Sequence, residues 1–187
     1  RAAHELAAAP DQGSQFAQLL NAAGGFLSTP QGPRVAMLES SGWDTHANQA
    51  TAYGALDRNL RELNRGVTAL RAALGSAWND TVVLIMTEFG RTVAMNGTQG
   101  TDHGSGGAAF LLGGAVAGGR VYADWPGLRP NDLYEGRDLK PTTDLRAVMK
   151  CVLREHLDVP DAHIERVVFP DSTGVKPTSF IRSATQP

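Results

Sequence analysis

Asp44-Thr45-His46, Glu88 and Asp102-His103 are the residues whose types and spacing could do chemistry. Carboxylate oxygens and imidazole nitrogens together suit Zn²⁺, Mn²⁺ or Fe, and mixed Asp/His sets are common in hydrolytic metal sites. Side chains of an extended segment alternate with period two, so Asp44 and His46 fall on one side of the backbone and can reach one ion. Asp102 and His103 are adjacent and point apart, which suits two ions, or one ion and a residue behind its ligands. Each has a plainer reading. Asp44 could cap the following helix, His46 could bond to backbone, Glu88 could pair with Arg91 or another arginine, and Asp102 could close an Asx-turn to Gly104. Taken as a set, at the ends of successive apolar runs, they favour a metal site.

The remaining reactive types are weaker. His4 lies in a surface-helix pattern, His156 at a helix C-terminus where a cation is favoured, and His163 in a loop, and all are read as structural. Ser105, in His103-Gly104-Ser105-Gly106-Gly107, lacks the glycine two places earlier that a Gly-x-Ser-x-Gly nucleophile turn needs. The glycines beside it let backbone pass close to the site or to a neighbouring strand. No Gly-Lys-Ser/Thr follows, so the loop is no Walker motif. Asp144, after Pro141, reads as a helix cap. Trp43, Trp78 and Trp125 read as packing, with Trp43 placed to wall a pocket. Cys151 is the only cysteine, which excludes an internal disulfide and a cysteine-rich metal site.

The elements that must position these residues follow from periodicity. Ala2 to Ala9 reads as helix up to Pro10, and a second helix starts near Ser14, with Phe16, Leu19 and Leu20 on one face and Gly24-Gly25 closing it. Val35 to Leu38 reads as a short buried strand that empties into the Asp44–His46 loop. From Asn48 to Leu74, the residues Leu56, Leu60, Leu63, Val67, Leu70 and Leu74 form one stripe at helical period, ended by Gly75. Thr81 to Thr87 is the strongest strand, continuously apolar like a central parallel strand, and Ala108 to Leu112 is another. A helix is predicted from Asp144 to about His156, and a loop-rich extension over 156–187. This alternation predicts an α/β fold, a mostly parallel sheet flanked by helices, with ligands bound beyond the carboxyl ends of its strands.

The 187 residues, 42% hydrophobic and 19% charged, suit a single α/β domain or part-domain, with its motif-bearing core at about 34–155. Lys plus Arg at 17 against Asp plus Glu at 19 gives no basic field for nucleic acid. Mean hydropathy is −0.21, and no apolar run nears the roughly 20 residues of a membrane helix. Glycine is in excess, 21 residues in all, and much of it lies between Gly97 and Gly119 around Asp102-His103.

Gly42-Trp43-Asp44-Thr45-His46 with Gln49, then Thr87-Glu88-Phe89-Gly90-Arg91, then Gly100-Thr101-Asp102-His103-Gly104, in this order, resemble the DUF1501 family. The resemblance extends to Gly113-Gly114, Gly118-Gly119 and Thr142-Thr143-Asp144, roughly residues 34 to 155. That family looks related to the alkaline phosphatase superfamily of phosphatases, sulfatases and phosphoglycerate mutases. The resemblance implies one metal held by Asp44, His46 and His103, and a second by Glu88 and a following His. Phe89 stands where that His would be, which leaves Asp102 to substitute.

The resemblance further implies an alkaline-phosphatase-like fold, of which this chain, starting at Arg1 without a leader, would be the C-terminal half. The nucleophilic Ser or Thr would lie upstream, and a periplasmic or exported location is implied, with the cytoplasm as the alternative. The expected activity is metal-dependent hydrolysis of phosphate or sulfate esters, with Zn or Mn as the divalent ion and a small anionic ester as substrate. Arg91 would clamp an anionic oxygen through its planar fork, or serve a structural ion pair. The competing expectation is a non-catalytic metal- or carbohydrate-binding exported protein that keeps the fold without turnover.

Overall fold

A computed structural model describes residues 14–50 and 52–182. The predicted Ala2–Ala9 helix and His4 lie outside the described residues. Two compact units are present: one takes the chain up to Ala77 together with Asn96–Gly100, the other Trp78–Met95 and the chain from Thr101 on.

The first unit is built on two helices. Ser14 caps α1 (Gln15–Leu27), its hydroxyl accepting from the Ala17 N–H at 3.1 Å and donating to Glu62. The inward face of α1 is Ala17, Leu20 and Gly24, whereas Leu19 is half exposed. Gly24 does not close the helix as predicted, because the chain stays helical to Leu27. Its role is close packing: a Cβ there would lie 2.6 Å from the Ala73 Cβ. Gly66 does the same from the other side, where a Cβ would meet Leu20 at 2.4 Å.

The partner helix, α2 (Ala55–Leu74), buries Gly66, Ala69, Leu70 and Leu74, and stops at Gly75 (φ +54) as its sequence predicts. It starts later than Asn48 because Asn48 (φ +49) and Tyr53 (φ +63) adopt a left-handed backbone that no α-helix can include. Leu60, at the stripe's edge, is 48% exposed. Arg61–Asp57 and Arg65–Glu62 pairs decorate the solvated side, where such bridges contribute little.

The second unit contains β1 (Val83–Ile85), β2 (Gly90–Arg91), β3 (His103–Gly104) and β4 (Phe110–Leu112). Strand β1 pairs antiparallel with β4 in the register Val83↔Leu112, Leu84↔Leu111, Ile85↔Phe110. Strand β2 pairs antiparallel with β3 in the register Gly90↔Gly104, Arg91↔His103. Helix α3 (Leu145–Glu155) is capped by Asp144, whose carboxylate accepts from the Arg146 N–H at 2.8 Å, as the sequence predicts. Its Val148 and Cys151 form a small core with Phe180, against which Leu84, Leu111 and Ile181 pack. The extension beyond residue 156 is more regular than predicted: His156 caps α3, and a helical turn at Asp161–His163 runs into a π-helical turn at Ile164–Val168. Trp125 is 60% exposed, so it is not the packing residue expected.

These sheets overturn the predicted mostly parallel sheet flanked by helices, and with it the alkaline-phosphatase-like architecture: among the described residues there are two two-stranded antiparallel sheets. The cause is the connection. Parallel neighbours need a crossover, usually helical, but 86–109 between β1 and β4 contains no helix, so the chain returns antiparallel. The apolar run of Thr81–Thr87 also overstated burial, since Val83–Ile85 are only half-buried and Met86 is 40% exposed. Val35–Leu38 forms no ladder, with Val35 at 66% and Met37 at 97% exposure. No helix among the described residues is long and apolar enough to cross a membrane.

Candidate functional site

In the first unit, the Asp44–His46 loop is fixed at both ends. Gly42 turns at φ +88, and its carbonyl accepts from the Asn59 amide on α2 at 2.5 Å. The Trp43 indole N–H donates to Ser40 at 3.0 Å, and buried Thr45 donates its hydroxyl to Gln49 at 2.7 Å. Burying Thr45 turns its two neighbours outward, and Asp44 Oδ1 lies 3.0 Å from His46 Nε2. The alternation expected of Asp-x-His therefore does bring the pair together.

Beyond the pair, the Asn96–Gly100 segment clamps the backbone. The His46 carbonyl accepts from the Asn96 amide at 3.0 Å and from the Thr98 hydroxyl at 2.7 Å. Asn48 and Gln49 donate their N–H groups to Thr98 and Gln99, at 3.0 and 2.8 Å. Gly100 lies so close that a Cβ would fall 2.1 Å from the His46 carbonyl carbon. That contact, rather than a turn, is why glycine stands there.

The donor set itself fits a divalent ion. Two ligand atoms each about 2.0–2.1 Å from a tetrahedral ion stand about 3.3 Å apart. The Asp44–His46 separation of 3.0 Å is close to that bite. Both side chains are about half exposed, so as a mere ion pair they would add little to stability.

In the second unit, the β2–β3 ribbon carries the other candidates. Arg91 and His103 stand opposite each other on one face, with Gly90 and Gly104 opposite each other on the other face. The Phe89 ring lies against the His103 imidazole, with centroids 4.2 Å apart and planes tilted by 34°. Arg91 donates its Nε–H to the Thr101 hydroxyl at 2.9 Å and its terminal N–H to the Thr101 carbonyl. Its fork is thus engaged in holding the approach to β3. Asp102 extends the ladder through backbone, accepting from the Thr92 N–H at 3.0 Å and donating to the Thr92 hydroxyl at 3.1 Å. Being next to His103 on an extended strand, it faces the opposite side. Glu88 is exposed in the bend before β2. Ser105 donates to Asp138 at 3.1 Å, a Ser–Asp contact rather than the Ser–His contact of a serine hydrolase.

Asp138 was not singled out by the sequence, yet it is only 2% exposed. Its Oδ1 lies 2.7 Å from Arg137 Nε, and its backbone bridges to Thr92 and to Tyr134. Burial pushes its carboxyl up, but hydrogen bonds from Arg137 and Ser105 outweigh that and hold it below the usual carboxylate range. A carboxylate lowered on folding stabilises the native state above its unfolded value near 3.9, and that contribution is lost as pH falls through the lower folded value. Wild type is therefore expected to lose more stability than Asp138→Asn on going from pH 5 to pH 2.5. Urea midpoints at the two pH values check this, and equal losses would refute it. A lone Asp between an arginine and a leucine gives no periodic or motif signal, which is why sequence reasoning missed it.

Comparison with curated proteins and with solved structures gives no match. The family comparison does: residues 4–168 match the family described as "Protein of unknown function (DUF1501)". The three motif stretches read from the sequence all lie inside that span, and the chain belongs to the DUF1501 family.

Proposed function

We propose that Asp44, His46 and His103 are ligands of a divalent metal ion, Zn or Mn, and that the protein hydrolyses phosphate or sulfate esters. The observation that carries this reading is the Asp44–His46 pair, held at 3.0 Å by a loop tied down along its length. Two donors fixed at the spacing of adjacent ligands need little reorganisation to bind. Chain connectivity supports the third ligand. Gly100 is seated on the His46 backbone, and His103 follows it by three residues, which extend at most about 11 Å.

A bound divalent ion would supply charge stabilisation at the ester oxygens. The chain's part is to orient the donors: buried Thr45 turns its neighbours outward, and the clamp at the His46 carbonyl fixes the imidazole's backbone. Glu88 and Asp102 are proposed for a second ion. The likeness proposed to alkaline phosphatases and sulfatases is one of ligand types and their order, not of fold.

A binding role without turnover, for a metal or a carbohydrate, is favoured by one observation. Arg91, the expected clamp for an anionic oxygen, already spends its fork on Thr101. Metal analysis of the purified protein and assays with aryl phosphate and aryl sulfate separate the readings. Bound Zn or Mn with ester hydrolysis, each reduced at least tenfold by His46→Ala, supports the hydrolase. Tight metal without hydrolysis favours the binding role, and the absence of metal binding in wild type sinks both metal readings.

A further inference from the structure

We propose that Phe89 is a positioning residue for His103: its ring holds the imidazole in one plane and so presets the nitrogen that would meet a metal ion. The proposal rests on the metal reading above. Register and contact carry it together. With Arg91 opposite His103, Phe89 stands two residues before Arg91, just ahead of β2, at the diagonal position within reach of an aromatic side chain across an antiparallel pair. The rings meet at 4.2 Å and a 34° tilt, a close, tilted ring contact.

An imidazole's outer torsion is broad and soft, so an unsupported ring sweeps its nitrogens through a wide arc. A neighbouring ring at this distance blocks rotation out of the plane. Phe89 is itself held. The Thr87 hydroxyl donates to its carbonyl at 2.9 Å, and a Cβ on the next residue, Gly90, would strike the Gly106 carbonyl, so the backbone there cannot drift. Metal ligands are commonly oriented by a neighbour that hydrogen-bonds them. Here the orienting group is a carbocyclic face, which fixes the plane without itself bonding to a ring nitrogen.

The test uses the full chain and zinc alone. Zinc affinity, measured by competition with a chromophoric chelator, is expected to fall about 3–10-fold in Phe89→Leu and to stay within about twofold of wild type in Phe89→Tyr. Tyrosine restores packing volume as well as the ring face, so the signature specific to positioning is the ring-current shift of His103. In metal-free protein, the carbon-bound ring protons of His103, identified by their absence in His103→Ala, are expected upfield of those of His156 and His163. They should return downfield in Phe89→Leu.

Zinc binding in Phe89→Leu equal to wild type, while His103→Ala loses it, overturns the positioning role and leaves the metal reading standing. Zinc binding in His103→Ala equal to wild type removes His103 from the metal site, and this proposal with it. Should Phe89→Leu not fold, the wild-type protons and Phe89→Tyr decide. Unshifted His103 protons, or a tyrosine variant that loses zinc, overturn the proposal.

Discussion

Replacing Lys150 with methionine is expected to lower stability by about 2–4 kcal/mol, although no candidate ligand is touched. Lys150 is 3% exposed on the inward face of α3, beside Ala147, Val148 and Cys151. Its ammonium donates to the carbonyls of Ser172, at 2.6 Å, and Val175, at 3.2 Å, and lies 3.5 Å from the Glu165 carboxylate. Methionine fills a similar volume and so leaves little cavity, but it supplies no donor. The Ser172 carbonyl then keeps only its bond from the Val175 N–H, at 2.9 Å, while the Val175 carbonyl and the Glu165 carboxylate both lose the ammonium. The lysine also ties 172–175 to α3, upstream of Phe180, which completes the small core. Lys140→Met, at an exposed lysine, should stay within about 0.5 kcal/mol of wild type. Urea denaturation of both variants measures the difference, and a Lys150→Met midpoint equal to that of Lys140→Met would refute the role.

Lys150 also marks where the sequence stops being legible. The helix carrying it could be read from Asp144 to about His156, because capping and period are local properties. That a lysine would turn inward could not, since its partners are two carbonyls 22 and 25 residues away that nothing in their side chains advertises. The same divide separates α2 from the sheets. Stripe and terminal glycine sufficed for α2, whereas an apolar run such as Thr81–Thr87 reports burial and not the direction of its neighbour. Direction depends on the connection, and in 86–109 the glycines that looked like a loop beside a site are largely points of backbone contact.

At the candidate site, residue types were readable and their supports were not. Asp-x-His alternation follows from strand geometry and needs no tertiary information. The clamp on the His46 carbonyl joins residues 50 and 52 apart, and the Phe89 contact depends on a register of two-residue strands too short to carry a pattern.

Gly90→Ala is expected to cost about 3 kcal/mol or more and to loosen the ribbon that presents His103. A Cβ on Gly90 would lie 1.8 Å from the Gly106 carbonyl oxygen and 2.3 Å from its carbon. Both are backbone atoms, so relief requires moving a strand rather than turning a side chain. Gly106 cannot retreat, because its own Cα side lies against Leu139, where a Cβ would come within 2.3 Å of the carbonyl oxygen. Leu139 follows Asp138, which is itself held by Arg137 and Ser105. The clash therefore propagates from β2 to the buried carboxylate instead of relaxing locally. Gly97→Ala is the matched control, since nothing lies within 4 Å of a Cβ there, and it should be neutral or slightly stabilising. If Gly90→Ala unfolds at the same urea concentration as Gly97→Ala, the close approach of β2 to the glycine loop is wrong. If it is destabilised but binds zinc as wild type does, the ribbon's rigidity has no part in presenting His103. Both losses together would show that the glycine excess serves the site through backbone contact, at positions where any side chain would push the strands apart.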